Sequence, residues 1–281
     1  MNTFQTIILS IVFSFTDFLP LGSAAHQVLI PYLLNWPEVP TALLGAFSLG
    51  AFLSVFIYFF HDWASLISSF IQVIIYRKKP MTLDERLPFF LIFTMIPYGI
   101  GFLCFHKLDE MPHPYLISLG LFLFILPLWL SDAYTRRQKS MFNWNWLDSM
   151  LVGLAQCLTL IPGVGLGCGR MTGALIAGLG RGHYRESAAK FAFLASAPIL
   201  LFQSFFYLKG LNFQTLPTSN VTGLTFFMAI TVTFATGLLA IGSMMKHFQQ
   251  KSVGGYLFYR FIFGLGTASL IWLQSRGLGH L

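Results

Sequence analysis

Long apolar stretches, recurring along the chain, constrain this protein more than any other feature. Six of them, at about 41–60, 88–104, 115–130, 191–208, 221–245 and 256–273, run for 16 to 25 residues with few charges. A helix rises about 1.5 Å per residue, so the longer of these match a hydrocarbon core roughly 30 Å thick. Only 10% of the residues are charged, against about 25% in an ordinary soluble domain. There are too few ions to coat a water-facing surface. A soluble enzyme, a disordered tail and a disulfide scaffold are excluded, and the expected class is an all-α polytopic membrane protein.

The net charge of +7 does not point to nucleic acid, because of how it is distributed. Basic residues cluster between apolar stretches: Arg77, Lys78, Lys79 and Arg86; Arg136, Arg137 and Lys139; Arg181, Arg185 and Lys190; Lys246 and Lys251. These read as loops held in the cytoplasm by the positive-inside rule. Cys104, Cys157 and Cys168 form no CxxC and support neither a zinc site nor a disulfide framework. The N-terminus does not read as a signal peptide: no Lys or Arg precedes its apolar stretch, and Asp17 and Pro20 interrupt it.

Two further apolar stretches are too short to cross. Residues 4–16 rise only about 20 Å as helix before Asp17 and Pro20, and residues 147–161 stop at Pro162, followed by Gly163, Gly165, Gly167 and Gly169. Each is followed by a second short arm, which predicts two re-entrant helical hairpins beside the six transmembrane helices; broken backbone survives at membrane depth only inside protein or beside a water-filled cavity. Segment 63–76, opening with Trp63, is expected to lie along the interface. Charge tests the scheme. With 77–86 inside and 147–180 entering and leaving on one face, twelve of the 17 Lys and Arg residues lie inside, three outside (Lys107, Lys209, Arg276) and two at depth (Arg170, Arg260). Both termini then lie outside. Trp36, Trp63, Trp129, Trp144, Trp146 and Trp272 fall near segment ends, as an aromatic belt requires.

The two halves repeat. Phe18-Leu19-Pro20 after Asp17 parallels Leu160-Ile161-Pro162 after Thr159, an offset of 142 residues. Each half, about 1–140 and 141–281, holds one hairpin and three crossings, and an odd number of crossings makes the repeat inverted. The hairpin tips are expected to meet near the midplane, where such repeats build polar ligand sites.

Ionisable groups at that depth are functional candidates by default. The first tip collects Asp17, Ser23 and His26; the second collects Gln156, Thr159, Arg170 and Thr172. Ser23 stands where an N-cap belongs and His26 three positions on, at a helix N-terminus suited to an anion. Gly163, Gly165, Gly167 and Gly169 let backbone approach a phosphate, and the Arg170 guanidinium binds two oxygens at once. Plainer uses stand beside these: close helix packing for the glycines, satisfaction of broken backbone for Asp17, a position near water for His26, and loop carbonyls as partners for Arg260. His61, His106, His113, His183, His247 and His280 fall in loops or at the C-terminus. No HExxH, GxSxG or complete Walker motif is present.

At these residues the chain resembles the undecaprenyl-diphosphate phosphatases of the bacitracin-resistance type. The matching pieces are Phe18-Leu19-Pro20-x-x-Ser23-x-x-His26, Gln156-Cys157-Leu158-x-Leu160-x-Pro162-Gly163, Gly178-Leu179-Gly180-Arg181 and Tyr259-Arg260-Phe261, in order along almost the whole chain. The resemblance implies hydrolysis of a polyprenyl diphosphate to the monophosphate on the extracytoplasmic side of a bacterial plasma membrane, for recycling of the lipid carrier in cell-wall synthesis. It also implies a divalent cation, most simply Mg²⁺, held by Asp17. Arg170 and the glycines then bind phosphate oxygens, with Thr172 and Gln156 alongside; His26 is the nucleophile or general base, and Ser23 the rival nucleophile activated by it. Membrane lipids are the other partners, and a homodimer is compatible with such a chain. The sequence departs from the family at three places: Phe13 stands where the family has a further glutamate, the family's paired serines and the Thr-Gly after them read Gly22-Ser23 and Ala24-Ala25, and its PGxSRSGxT signature reads Pro162-Gly163-Val164-Gly165-Leu166-Gly167-Cys168-Gly169-Arg170. Leu166 thus takes the arginine's place and Arg170 lies one helical turn on. The first and last of these departures motivate an alternative function, a lipid-phosphate flippase or transporter using the same site.

Overall fold

A computed structural model describes residues 1–105, 113–134, 143–177, 185–209 and 221–276. These are helical, with no strand among them. Gly178-Leu179-Gly180-Arg181, the Arg136 to Lys139 cluster, Lys107, His106, His183 and His280 lie outside the described residues. The chain forms α1 (Thr3–Phe18), α2 (Ser23–Leu33), α3 (Thr41–Tyr58), α4 (Phe60–Tyr76), α5 (Leu83–Phe105), α6 (Pro114–Leu123) and α7 (Ile125–Tyr134). There follow α8 (Trp146–Cys157), with a short 3-10 turn at Leu158–Leu160, then α9 (Leu166–Ile176), α10 (Arg185–Leu208), α11 (Gly223–Gln250) and α12 (Gly254–Ser275). Among the described residues six segments are long and apolar enough to cross a membrane: α3, α5, α6 with α7, α10, α11 and α12. They are the six expected, with shifted ends.

The shifts have local causes. The α5 helix starts five residues ahead of its apolar stretch because Thr82 and Glu85 cap each other. Thr82 Oγ1 accepts from the Glu85 amide at 3.3 Å, and Glu85 Oε2 accepts from the Thr82 amide at 3.1 Å. The third crossing breaks at Phe124, between α6 and α7. Pro127, in the first turn of α7, lacks the N–H that a continuous helix would donate to Leu123. The expected aromatic belt fails at Trp144. This side chain is buried, donates its indole N–H to Ser149 Oγ at 2.9 Å and packs on Phe191 with ring centroids 4.3 Å apart. Its neighbour Trp146 is exposed.

Two pairs of short helices occupy the middle of the molecule. In the first pair, α1 runs beside α11 in the same direction: Thr3 Oγ1 is 3.1 Å from Thr225 Oγ1, and Ser14 Oγ donates to the Thr233 carbonyl at 3.0 Å. At its end Phe18 meets Gly237, where an added methyl group would lie 2.8 Å from the ring. The α1 helix thus stops beside the midpoint of the 28-residue α11. In the second pair, α8 follows α5 from the Arg86 Nη2 bond to the Trp144 carbonyl, 3.3 Å, as far as Gly101 against Cys157. The α9 helix then returns antiparallel, Gly169 packing on Ala155 and Gly173 on Val152.

Glycine lets the two turns touch. A methyl group on Gly167 would overlap the Asp17 carbonyl oxygen, and one on Gly165 would lie 2.6 Å from the Ser23 nitrogen. Phe13, Phe18, Phe47 and Phe193 pack around this junction as part of the main apolar core.

Candidate functional site

The geometry starts at the end of α1. Asp17 is 2% exposed and would be costly as an isolated carboxylate. Both of its oxygens are engaged. Oδ1 accepts from Ser23 Oγ at 2.8 Å, and Oδ2 lies 3.4 Å from Arg170 Nη2. The same Nη2 donates to the Asp17 backbone carbonyl. Acid, hydroxyl and guanidinium, spread over 153 residues of chain, therefore form one cluster.

Arg170 sits behind Asp17, away from the cavity wall. Its guanidinium carbon is 5.5 Å from the Phe18 ring centroid and 5.3 Å from that of Phe193, faces that stabilise a desolvated cation. Among the described residues its Nε and Nη1 have no hydrogen-bond partner, nor does either amide atom of Gln156 or the Thr172 hydroxyl, all buried. Thr159 donates to the Gln156 carbonyl at 2.6 Å and lines the cavity.

The four glycines divide. Gly163 and Gly165 line the cavity, whereas Gly167 and Gly169 make helix contacts. Gly163 and Gly165 are also packed closely, against Ile117 and against Gly22 and Ser23. His26 lies outside the cavity wall. It is 1% exposed, with Nδ1 2.8 Å from the Gly22 carbonyl oxygen and Nε2 2.7 Å from Tyr259 Oη. The position near water considered for it is not where it lies. Arg260 has the carbonyl partners expected: Nε and Nη2 donate to Leu121 at 3.2 and 2.9 Å, and Nη1 donates to Val164 at 3.3 Å. Leu121 O is a helical acceptor left free by the break at Phe124. His61 and His113 are exposed and His247 is half-buried.

A cavity of about 1300 Å³ opens over the cluster. It runs from Asp17, Ser23 and Gly163 past Phe13, Leu166 and Phe102 to helix ends at Asn35, Glu38, His113 and Gln274. Its wall is mostly apolar, with polar groups at the Asp17 end and again at the helix ends, the usual build of a small-molecule site. Sequence reasoning missed Gln203, which donates to Tyr98 Oη at 2.7 Å on that wall. An amide inside an apolar crossing was the available signal. It also missed Tyr259, which stood in a quoted motif without a role.

The donor set is compatible with a divalent cation that takes most of its ligands from substrate. Asp17 and Ser23 present oxygens at the cavity wall, and Mg²⁺ typically needs only one or two carboxylates when phosphates supply the rest. No group of three His, Cys, Asp or Glu side chains gathers among the described residues.

Six crossing helices around a buried acid, hydroxyl and arginine define a multi-pass membrane protein with an internal polar site. Residues 6–266 match the family described as bacitracin resistance protein BacA, and the chain belongs to that family. Its relatives agree along their lengths. A protein of Geotalea daltonii named undecaprenyl-diphosphatase is 35% identical over 277 residues, covering 98% of this chain and 99% of its own. Proteins with the same name from Pelobacter propionicus and Myxococcus xanthus are 33% and 31% identical, over 96% and 100% of this chain and 98% and 92% of theirs.

Proposed function

We propose that this protein is a membrane phosphatase that hydrolyses undecaprenyl diphosphate to the monophosphate and inorganic phosphate. The family and the names of the relatives support that substrate, and nothing in them favours the flippase alternative. The observation that carries the chemistry is Ser23 Oγ, 2.8 Å from Asp17 Oδ1 on the cavity wall. A hydroxyl within hydrogen-bond reach of a base, itself held by a third group, is an activated nucleophile.

The reaction follows in two steps. Ser23 Oγ attacks the terminal phosphorus while its proton passes to Asp17 Oδ1. The bond from phosphorus to the bridging oxygen breaks, and polyprenyl monophosphate leaves with the electron pair. Asp17 passes that proton to the departing monophosphate. Water then attacks the phosphoserine and gives a proton to Asp17 Oδ1, the bond to Oγ breaks, inorganic phosphate departs, and Asp17 returns the proton to Ser23 Oγ. Arg170 pairs with Asp17 from behind and orients it. Asp17 would hold a divalent cation, which when bound would supply charge neutralisation for the transferred phosphoryl group. The apolar cavity wall excludes water from the prenyl end.

The same reading covers topology. The two short helix pairs are re-entrant hairpins entering from opposite faces, and the chain is an inverted repeat of about 1–140 and 141–281. Support comes from α1 ending beside the middle of α11, and from α8 starting beside the start of α5, which runs the other way through the membrane. With the basic loop at 77–86 in the cytoplasm, the cavity and both termini face the outer side of a bacterial inner membrane.

The test is phosphate release from undecaprenyl diphosphate by purified protein with Mg²⁺. Ser23→Ala and Asp17→Asn are each expected to lower turnover by about a hundredfold or more. Wild-type turnover in Ser23→Ala sinks the assignment.

A further inference from the structure

The mechanism above leaves His26 without a task at the cavity, and it draws nothing from α12. The contacts explain both. A carbonyl oxygen only accepts, so His26 Nδ1 carries the hydrogen and donates to Gly22 at 2.8 Å. In the neutral ring Nε2 then accepts from the Tyr259 hydroxyl at 2.7 Å. No ring nitrogen remains to attack phosphorus or to take the Ser23 proton.

The ring is also immobilised. It stacks on Phe263 with centroids 4.2 Å apart and planes 10° apart, and Phe263 stacks in turn on Tyr259 at 5.7 Å and 8°. What the ring holds is the residue just before Ser23. Gly22 has φ +97°, a left-handed conformation that glycine adopts without strain. Its carbonyl also accepts the His26 backbone N–H at 3.4 Å. The orientation of this peptide sets where Ser23 Oγ points relative to Asp17.

We propose that His26 and Tyr259 are positioning residues: the Tyr259 hydroxyl locks the imidazole, and the imidazole Nδ1–H fixes the Gly22 carbonyl so that Ser23 Oγ is aimed at Asp17. The kinetic consequence rests on the phosphatase reading; the geometric one does not. Asn at position 26 places an amide N–H near the site of Nδ1, yet neither attacks phosphorus nor accepts a proton as a base. Gln reaches only toward the site of Nε2.

The experiment compares His26→Ala, His26→Asn, His26→Gln and Tyr259→Phe in the purified full-length protein, per folded molecule. His26→Ala and His26→Gln are expected to lower kcat about a hundredfold with KM within about twofold, the scale of a misplaced reacting group. His26→Asn is expected to recover to within about tenfold of wild type, and Tyr259→Phe to lose about tenfold. His26→Asn as inactive as His26→Ala would show that the ring itself reacts and would overturn the proposal, as would a KM rise that accounts for the loss.

A second arm needs no hydrolysis. In a Ser23→Cys background, with Cys104, Cys157 and Cys168 replaced by Ala, a small water-soluble thiol reagent reports the environment of position 23. His26→Ala and Tyr259→Phe are expected to change its labelling rate by about fivefold or more, with His26→Asn restoring it. Equal rates in all variants overturn the positioning role. If wild type releases no phosphate at all, the phosphatase reading fails while this arm still decides the inference.

Discussion

Arg170 Nη2 stands 3.4 Å from Asp17 Oδ2, with both side chains withdrawn from water at 1% and 2% exposure. The pair joins the end of α1 to the second turn of α9 and thereby links the two halves of the chain at the cavity. Neither charge is affordable there alone. Leu166 stands where the family's arginine is expected, and one helical turn on the Arg170 guanidinium reaches the acid from behind.

Arg170→Ala should therefore leave a buried carboxylate uncompensated. Removing one partner of a buried pair costs roughly 3–5 kcal/mol, and thermal unfolding in detergent is expected to show that loss. Combining it with Asp17→Asn should recover part of the stability but not turnover. Stability of Arg170→Ala equal to wild type would show that the pair does not hold the turns together.

Gly167→Ala places a methyl group where the Asp17 carbonyl oxygen already lies. Overpacking of this kind costs about 1–3 kcal/mol, and moving Asp17 away from Ser23 should lower turnover about a hundredfold. Gly266→Ala, where a Cβ meets open space, is the matched control and should behave as wild type. Equal activity in the two variants would refute the close approach of the turns.

Phe13→Glu puts a carboxylate on the cavity wall in place of a ring stacked on Phe47 at 5.4 Å. If a divalent cation sits at Asp17, the added charge should lower the Mg²⁺ concentration for half-maximal turnover by about tenfold, the scale of changes around a metal's ligands. Direct Mn²⁺ binding to the purified protein provides a second readout. No change in either places the cation elsewhere.

The entry faces of the two helix pairs are open to labelling. In a background without Cys104, Cys157 and Cys168, Asn2→Cys and Asn35→Cys should react from one side of sealed vesicles. Asn145→Cys and Ser187→Cys should react from the other side. Labelling of Asn2→Cys and Asn35→Cys from opposite sides would mean that α1 and α2 together cross the membrane, and the hairpin proposal would fall.

Much of this was legible in the chain alone. Apolar length is a local property, so six stretches of 16 to 25 residues sufficed to predict the six membrane-crossing segments of the all-helical fold. Pro20 and Pro162 marked both turns because proline lacks the amide donor that a continuing helix needs, although Pro31, Pro97 and Pro198 sit inside helices. Asp17, Ser23 and Arg170 stood out because polar groups within apolar sequence need partners. Their pairing did not follow from that need. Hydrogen-bond direction and burial depend on which helix faces which, and only tertiary packing decided that Arg170 backs Asp17, that Gly167 and Gly169 serve packing, and that His26 turns from the cavity toward Tyr259, 233 residues away. A helix end at a capping box, a tryptophan drawn into the core and a broken crossing that hands its free carbonyl to Arg260 were likewise settled by contacts between distant segments, because the free energy of a buried polar atom is set by its neighbours in space.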